Sequence, residues 1–169
     1  TVAWTGILNT QPPKTYISLR PQRHSYPIIK ESGEFVLNLT TTALVRAVDF
    51  CGVRSGADTD KFALCSLTAE PSDQIGAPRI AQCPLSLECR VTQVIPLGTH
   101  DMFLADIVAI AVDEALIDPS GKLRLDRAGL LAYAHGSYYG LGKHLGDFGF
   151  SVRKRPAPSR RSRPNVSGS

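Results

Sequence analysis

The chain has 169 residues, of which 43% are apolar and 20% charged. That is enough to bury a sizeable core in a single soluble domain. No apolar run of about 18 residues is present, which argues against a membrane-spanning helix, and no cationic-then-apolar leader opens it. The formal charge of +4 divides unevenly. Residues 151–169 hold six basic groups and no acid, leaving 13 basic and 15 acidic groups in the rest, a net −2.

In chain order, "TVAWTGIL" reads as a strand that the sequence enters at once, so a preceding strand of the fold is expected to be missing here. A Pro-Pro turn leads to a second strand, "KTYISL". The turn "SLRPQRHSYPII" crowds Arg20, Arg23, His24 and Ser25 ahead of a short helix. Ser25 is the expected N-cap, Pro27 suits the first turn and Gly33 suits the end. A helix N-terminus offers unpaired N–H groups and partial positive charge, and arginine offers bidentate geometry, so this turn is a candidate anion site as well as an ordinary basic turn.

"EFVLNL" puts Phe35, Leu37 and Leu39 on one face, as a strand does. "TTALVRAVDFCG" reads as a helix capped by Thr41 or Thr42, with Leu44, Val45 and Val48 as its stripe. In "SGADTDKFAL", Lys61 sits where a polar loop turns apolar, either as a surface lysine or as a site residue. "LSLECRVTQV" alternates as a strand with one wet face carrying Ser86, Glu88, Arg90 and Thr92. "HDMFLADIVAIAVDEALI" is apolar on both faces over about ten residues and β-branched, as in a long central strand. Gly98 in "PLGTHD" marks the hairpin between them, and "DPSGK" marks another turn. "YYGLGKHLG" reads as a loose turn or brief helix.

Trp4 is either core packing or an aromatic wall for a flat ligand, and Tyr138 and Tyr139 admit the same two readings. His100 stands at a hairpin, where a solvated role is the commoner one. Cys51, Cys65, Cys83 and Cys89 form no CxxC pair and read as reduced thiols of a cytoplasmic protein, with a redox role for Cys51 as the lesser alternative. No nucleophile–base set or carboxylate pair stands out. The Pro-, Ser- and Arg-rich segment 151–169 reads as a disordered basic appendage to a domain over 1–150, and without aromatics it gives no platform for nucleic-acid bases. Consecutive strands and hairpin joins point to a mainly β fold, a small antiparallel barrel with short helices outside.

Seven segments, "TVAWTGI", "PPKTYISLRPQRHSYPII", "EFVLNL", "DFCGVRSGADTDKFAL", "PRIAQCPLSLECRV", "LGTHDMFLADI" and "YYGLGKHLG", together resemble the FMN-binding split-barrel family of flavin reductases, and within it the flavoredoxins. The resemblance implies a homodimer of six-stranded antiparallel Greek-key barrels with non-covalent FMN near the subunit interface, reduced by NADH or NADPH or by a redox protein partner. It implies that Val2, Ala3, Trp4 and Thr5 run along the flavin ring, and that Ser18, Arg20, Arg23 and Ser25 surround the phosphate. Asn38, Leu39, Ser55 and Lys61 would add further flavin contacts. His100 would meet the nicotinamide, and Tyr138 or Tyr139 would close over the site. Because FMN carries the redox chemistry, no acid–base constellation is needed. The resemblance leaves three functions open: a flavin reductase, an electron carrier with bound FMN, or a flavin-binding module without turnover.

Overall fold

The computed structural model describes residues 1–153, so most of the expected basic tail lies outside the described residues. The first strands are β1 (Trp4–Thr10) and β2 (Pro13–Leu19), followed by α1 (Ser25–Ser32) and β3 (Glu34–Leu39). A 3-10 turn then leads into α2 (Val45–Val53), α3 (Lys61–Leu64) and the short β4 (Ala69–Glu70) and β5 (Arg79–Ile80). The long β6 (Leu85–Pro96) and β7 (Asp101–Val112) come next, and the last strands form the hairpin β8 (Leu131–Ala134) and β9 (Ser137–Gly140).

The main sheet is antiparallel in the order β1-β2-β7-β6-β3, with β7 central as its β-branched run suggests. It has five strands, one fewer than the six the resemblance implies, and β1 and β3 form its edges. β4–β5 and β8–β9 are separate two-stranded sheets. No helix among the described residues is long and apolar enough to cross a membrane.

Inward-facing residues of four strands build one core: Ile17 and Leu19 of β2, Phe35 of β3, Leu85, Leu87 and Cys89 of β6, Phe103 and Ala105 of β7. Phe103 is fully buried, and Tyr26 of α1 meets its ring edge-on at 5.3 Å. That contact docks α1 across the end of the sheet, so the turn before α1 is held in a fixed place.

Several local expectations are corrected. The face of β6 expected to be wet is buried at Ser86 and Glu88. At Glu88 the reason is a crossing segment, whose Asp73 (2.9 Å) and Gln74 (2.8 Å) backbone N–H groups its carboxylate accepts, while Ser86 donates to Oδ1 of its cross-strand neighbour Asn38 (2.8 Å). Conversely, β7 is not buried on both faces throughout, since Ile110 is 58% exposed. Residues 137–140 form a strand rather than a turn or helix, because they pair with β8. Thr41 precedes a 3-10 turn without a side-chain cap, and α2 begins later, at Val45. Gly33 ends α1 in the left-handed region (φ 69°), and Gly98 turns the β6–β7 hairpin at φ 103°, both as expected.

Candidate functional site

A cleft of about 120 Å³ opens beside the N-terminus of α1, between the turn before that helix and the α2–α3 connection. Its lining includes Arg23, Arg54 and Lys61 with Val2, Cys51 and Ser55, and no carboxylate takes part. Three cations without an opposing acid in the lining make the space electropositive, which suits a phosphate group.

The fold holds two of these cations and places the third at the end of a helix. Cys51 and Gly52 belong to the last turn of α2, whose final carbonyls lack helical partners. Lys61 Nζ donates to the Cys51 carbonyl at 2.8 Å, and Arg23 Nη1 donates to the Gly52 carbonyl at 3.4 Å. Arg54 follows directly as the C-cap residue of α2. Lys61 opens α3, whose N-cap Asp60 accepts the Ala63 N–H at 3.1 Å. The loop between the helices approaches α1 closely: a Cβ on Gly56 would lie 3.1 Å from the His24 ring.

Ser25 is not the N-cap. His24 occupies that position without a side-chain cap bond, and the Ser25 hydroxyl instead meets Thr1 Oγ1 at 2.7 Å. The competing hydroxyl draws Ser25 toward the start of the chain and so toward the cleft's edge. Arg20 is exposed on the turn, and its carbonyl accepts the Arg23 N–H at 3.0 Å.

A second group lies at the neighbouring strand ends. Trp4 pairs with Ser18 across β1 and β2, and Ser18 pairs with Met102 of β7. Trp4 is not core: it is 68% exposed and stacks on His100 with ring centroids 4.9 Å apart and planes 16° off parallel. Thr99 Oγ1 lies 3.0 Å from His100 Nδ1. Ala3 packs toward the core, and Thr5 Oγ1 donates to the Tyr16 carbonyl, so the stretch Val2–Thr5 spans from the cleft to this stack.

Tyr26 couples the stack to α1, donating its hydroxyl to Asp101 Oδ2 at 2.5 Å. This bond first, then burial, raises the phenol above its ordinary 10.0. The folded state therefore holds the phenolic proton more tightly than the unfolded chain. The associated stability is complete below pH 10 and is lost as pH rises through the raised value. Tyr26→Phe should accordingly flatten the alkaline limb of a stability–pH profile, and an unchanged limb would refute the coupling.

Other expected contacts lie elsewhere. Asn38 Oδ1 accepts from Ile80 N (3.0 Å) and Ser86 Oγ, tying β5 to the sheet, and Leu39 pairs with Leu85. Ile80 and Ser86 line a larger groove of about 540 Å³ that carries both signs of charge, with Arg79 paired to Glu70 at 3.1 Å. Tyr138 donates to Asp49 at 3.0 Å and lies against Tyr133, while Tyr139 is exposed on the hairpin. Neither tyrosine lines the cleft. Arg54, missed by the sequence reading, had one signal: a cation just past a helix end, followed by Ser-Gly.

The flavin reductase like domain model matches residues 1–142, and the chain belongs to that family. In structure it is similar to flavoredoxin of Desulfovibrio vulgaris (Miyazaki F), with a TM-score of 0.82 and 30% identity over 89% of this chain and 81% of that one. An uncharacterized protein of Archaeoglobus fulgidus is 32% identical over 70% of this chain and 67% of its own length. A relative described as FMN reductase (NADH) RutF, from Enterobacter cloacae, is 27% identical over 69% of this chain and 66% of its own length.

Proposed function

We propose that the chain binds FMN with its phosphate in the cationic cleft and passes electrons from NADH or NADPH through the flavin to an acceptor. The observation that carries this is the charge of the cleft, with Arg23, Arg54 and Lys61 converging and no acid among its lining. Size supports the same assignment. Ligand-enclosing pockets run to about 300–1,000 Å³, and the cleft of about 120 Å³ accommodates only one end of a nucleotide. The remainder would lie along Val2–Thr5 toward the Trp4–His100 stack, whose open face offers a platform for a flat ring.

FMN supplies hydride and electron chemistry when bound, and the protein's part is to bind, orient and shield it. Lys61 and backbone N–H groups would place positive charge near it, and His100 would border the nicotinamide. Exposed Trp4, Ile7 and Leu8 on the edge strand β1 support a second copy of the chain covering this face, so that the flavin lies near a dimer interface.

The test is anaerobic mixing of the FMN-loaded protein with NADH and, separately, NADPH. Rapid loss of the yellow flavin absorbance with either supports the reductase. Slow bleaching with a firmly bound flavin identifies an electron carrier that needs a redox protein partner. A protein that takes up neither FMN nor FAD refutes both.

A further inference from the structure

The last described segment, residues 141–153, carries an apolar surface that the proposed flavin site does not use. It follows β9, whose Tyr138 is tied to Asp49 of α2. A Cβ on Gly140 would lie 3.2 Å from Thr42, so the root of the segment rests on the body of the domain. Beyond that root its polar groups close upon themselves. Asp147 faces His144 at 3.4 Å and Arg153 at 3.6 Å, and its carbonyl accepts the Phe150 N–H at 2.9 Å. A Cβ on Gly146 would lie 2.8 Å from the Phe150 ring, which therefore folds over the backbone there.

The segment is thus shaped, yet its large side chains face solvent. Phe148 is 105% exposed and Leu145 90%, and Leu141, Phe150 and Val152 are exposed as well. The two phenylalanines alone leave on the order of 300 Å² open, and the leucines and valine add a comparable area. One short segment then shows as much apolar surface as the largest patch of a typical monomer, about 300–600 Å². The same chain carries a matching receptor. β1 is an edge strand, with an unpaired outer row of N–H and C=O groups, and Trp4, Ile7 and Leu8 are exposed on it. Within one copy neither surface covers the other.

We propose that residues 141–152 form an arm that crosses to β1 of a second copy, the two copies exchanging arms. This rests on the reading above that a second copy covers β1, and it names what does the covering. Reach and area both fit that occupant. A segment of this length spans up to about 40 Å when extended, enough to leave its own domain and lie along a neighbour. A twofold pair presents two arms, together about 1,200 Å², where stable specific interfaces begin, before the receptor strands are counted.

The experiment uses the full chain and its single tryptophan. Trp4 lies in the receptor and the arm has no tryptophan, so Trp4 emission reports when β1 is covered. Sedimentation equilibrium measures association, and Trp4 emission is followed over the same concentrations. The expected result is a dimer whose formation shifts that emission to shorter wavelength. Leu145→Asp combined with Phe148→Asp should raise the dissociation constant about a hundredfold or more, as loss of two buried apolar anchors does. Both side chains are exposed in a single copy, so the dilute variant should melt where dilute wild type does. A second measurement places the photo-crosslinker benzoylphenylalanine at Phe148 in a mixture of light- and heavy-isotope protein. Links that join the two isotopes and end on β1 support the exchange. Links confined to one isotope mean that the arm folds back on its own chain, and links ending away from β1 remove the receptor; either overturns the proposal. A dimer undisturbed by the double substitution refutes the arm and leaves the covered β1 face standing, whereas a wild-type chain that stays monomeric refutes both. FMN uptake by the same wild-type protein, read by flavin fluorescence, decides the flavin function separately.

Discussion

Arg23→Ala is expected to weaken FMN binding about ten- to a hundredfold while leaving riboflavin binding nearly unchanged. Arg23 lines the cleft, and riboflavin differs from FMN only in lacking the phosphate that Arg23 would meet. A hydrogen bond to a charged group contributes about 1.5–3 kcal/mol, which corresponds to that range of affinity. Arg20→Ala makes an informative companion, because Arg20 lies exposed on the same turn but does not line the cleft. If Arg20 reaches the phosphate when FMN binds, its replacement also discriminates the two ligands, with no effect on riboflavin. Titration of flavin fluorescence against both variants measures the ratio. Equal losses for FMN and riboflavin would mean that the arginines act through folding, and the phosphate assignment would fall.

Glu88→Ala should produce the largest loss of stability of any single polar change. The carboxylate is fully buried, and each of its oxygens accepts one backbone N–H, from Asp73 and from Gln74. Alanine strands both donors where water does not reach, at about 1–3 kcal/mol each. For a domain of this size that is a fall in melting temperature of roughly 5–20 °C. Glu88→Gln keeps one acceptor and should lose about half as much. Amide hydrogen exchange gives the specific readout, since protection at residues 73 and 74 should vanish before protection in β7. A melting temperature equal to wild type would show that the loop over Glu88 is held by something else.

The same residue shows where sequence reading stops. Alternation in "LSLECRV" identifies the strand, and β6 does span it, but period-two logic assigns Glu88 to water. What buries it is a segment about 15 residues upstream that crosses the sheet face, a contact with no local signature. Asn38 is a similar case: its partner Ile80 lies 42 positions away. By contrast, β3 was legible because "EFVLNL" carries its own alternating pattern. The hairpin at Gly98 and the helix end at Gly33 were legible because a positive φ almost demands glycine. The cleft falls between these extremes. Arg23, Ser55 and Lys61 could be named from short motifs, yet their convergence needs α2 to bring its C-terminal end against the turn before α1. Composition points Ser25 to a cap, and a long-range hydroxyl contact with Thr1 takes it instead.

The carbonyls that hold Arg23 and Lys61 have an electrostatic meaning as well as a structural one. They are the negative pole of α2, and both cations already rest on them. Under the proposed function, a phosphate would share these counter-charges with that pole. The donors that Arg23 and Lys61 keep beyond those two bonds are the ones it would meet.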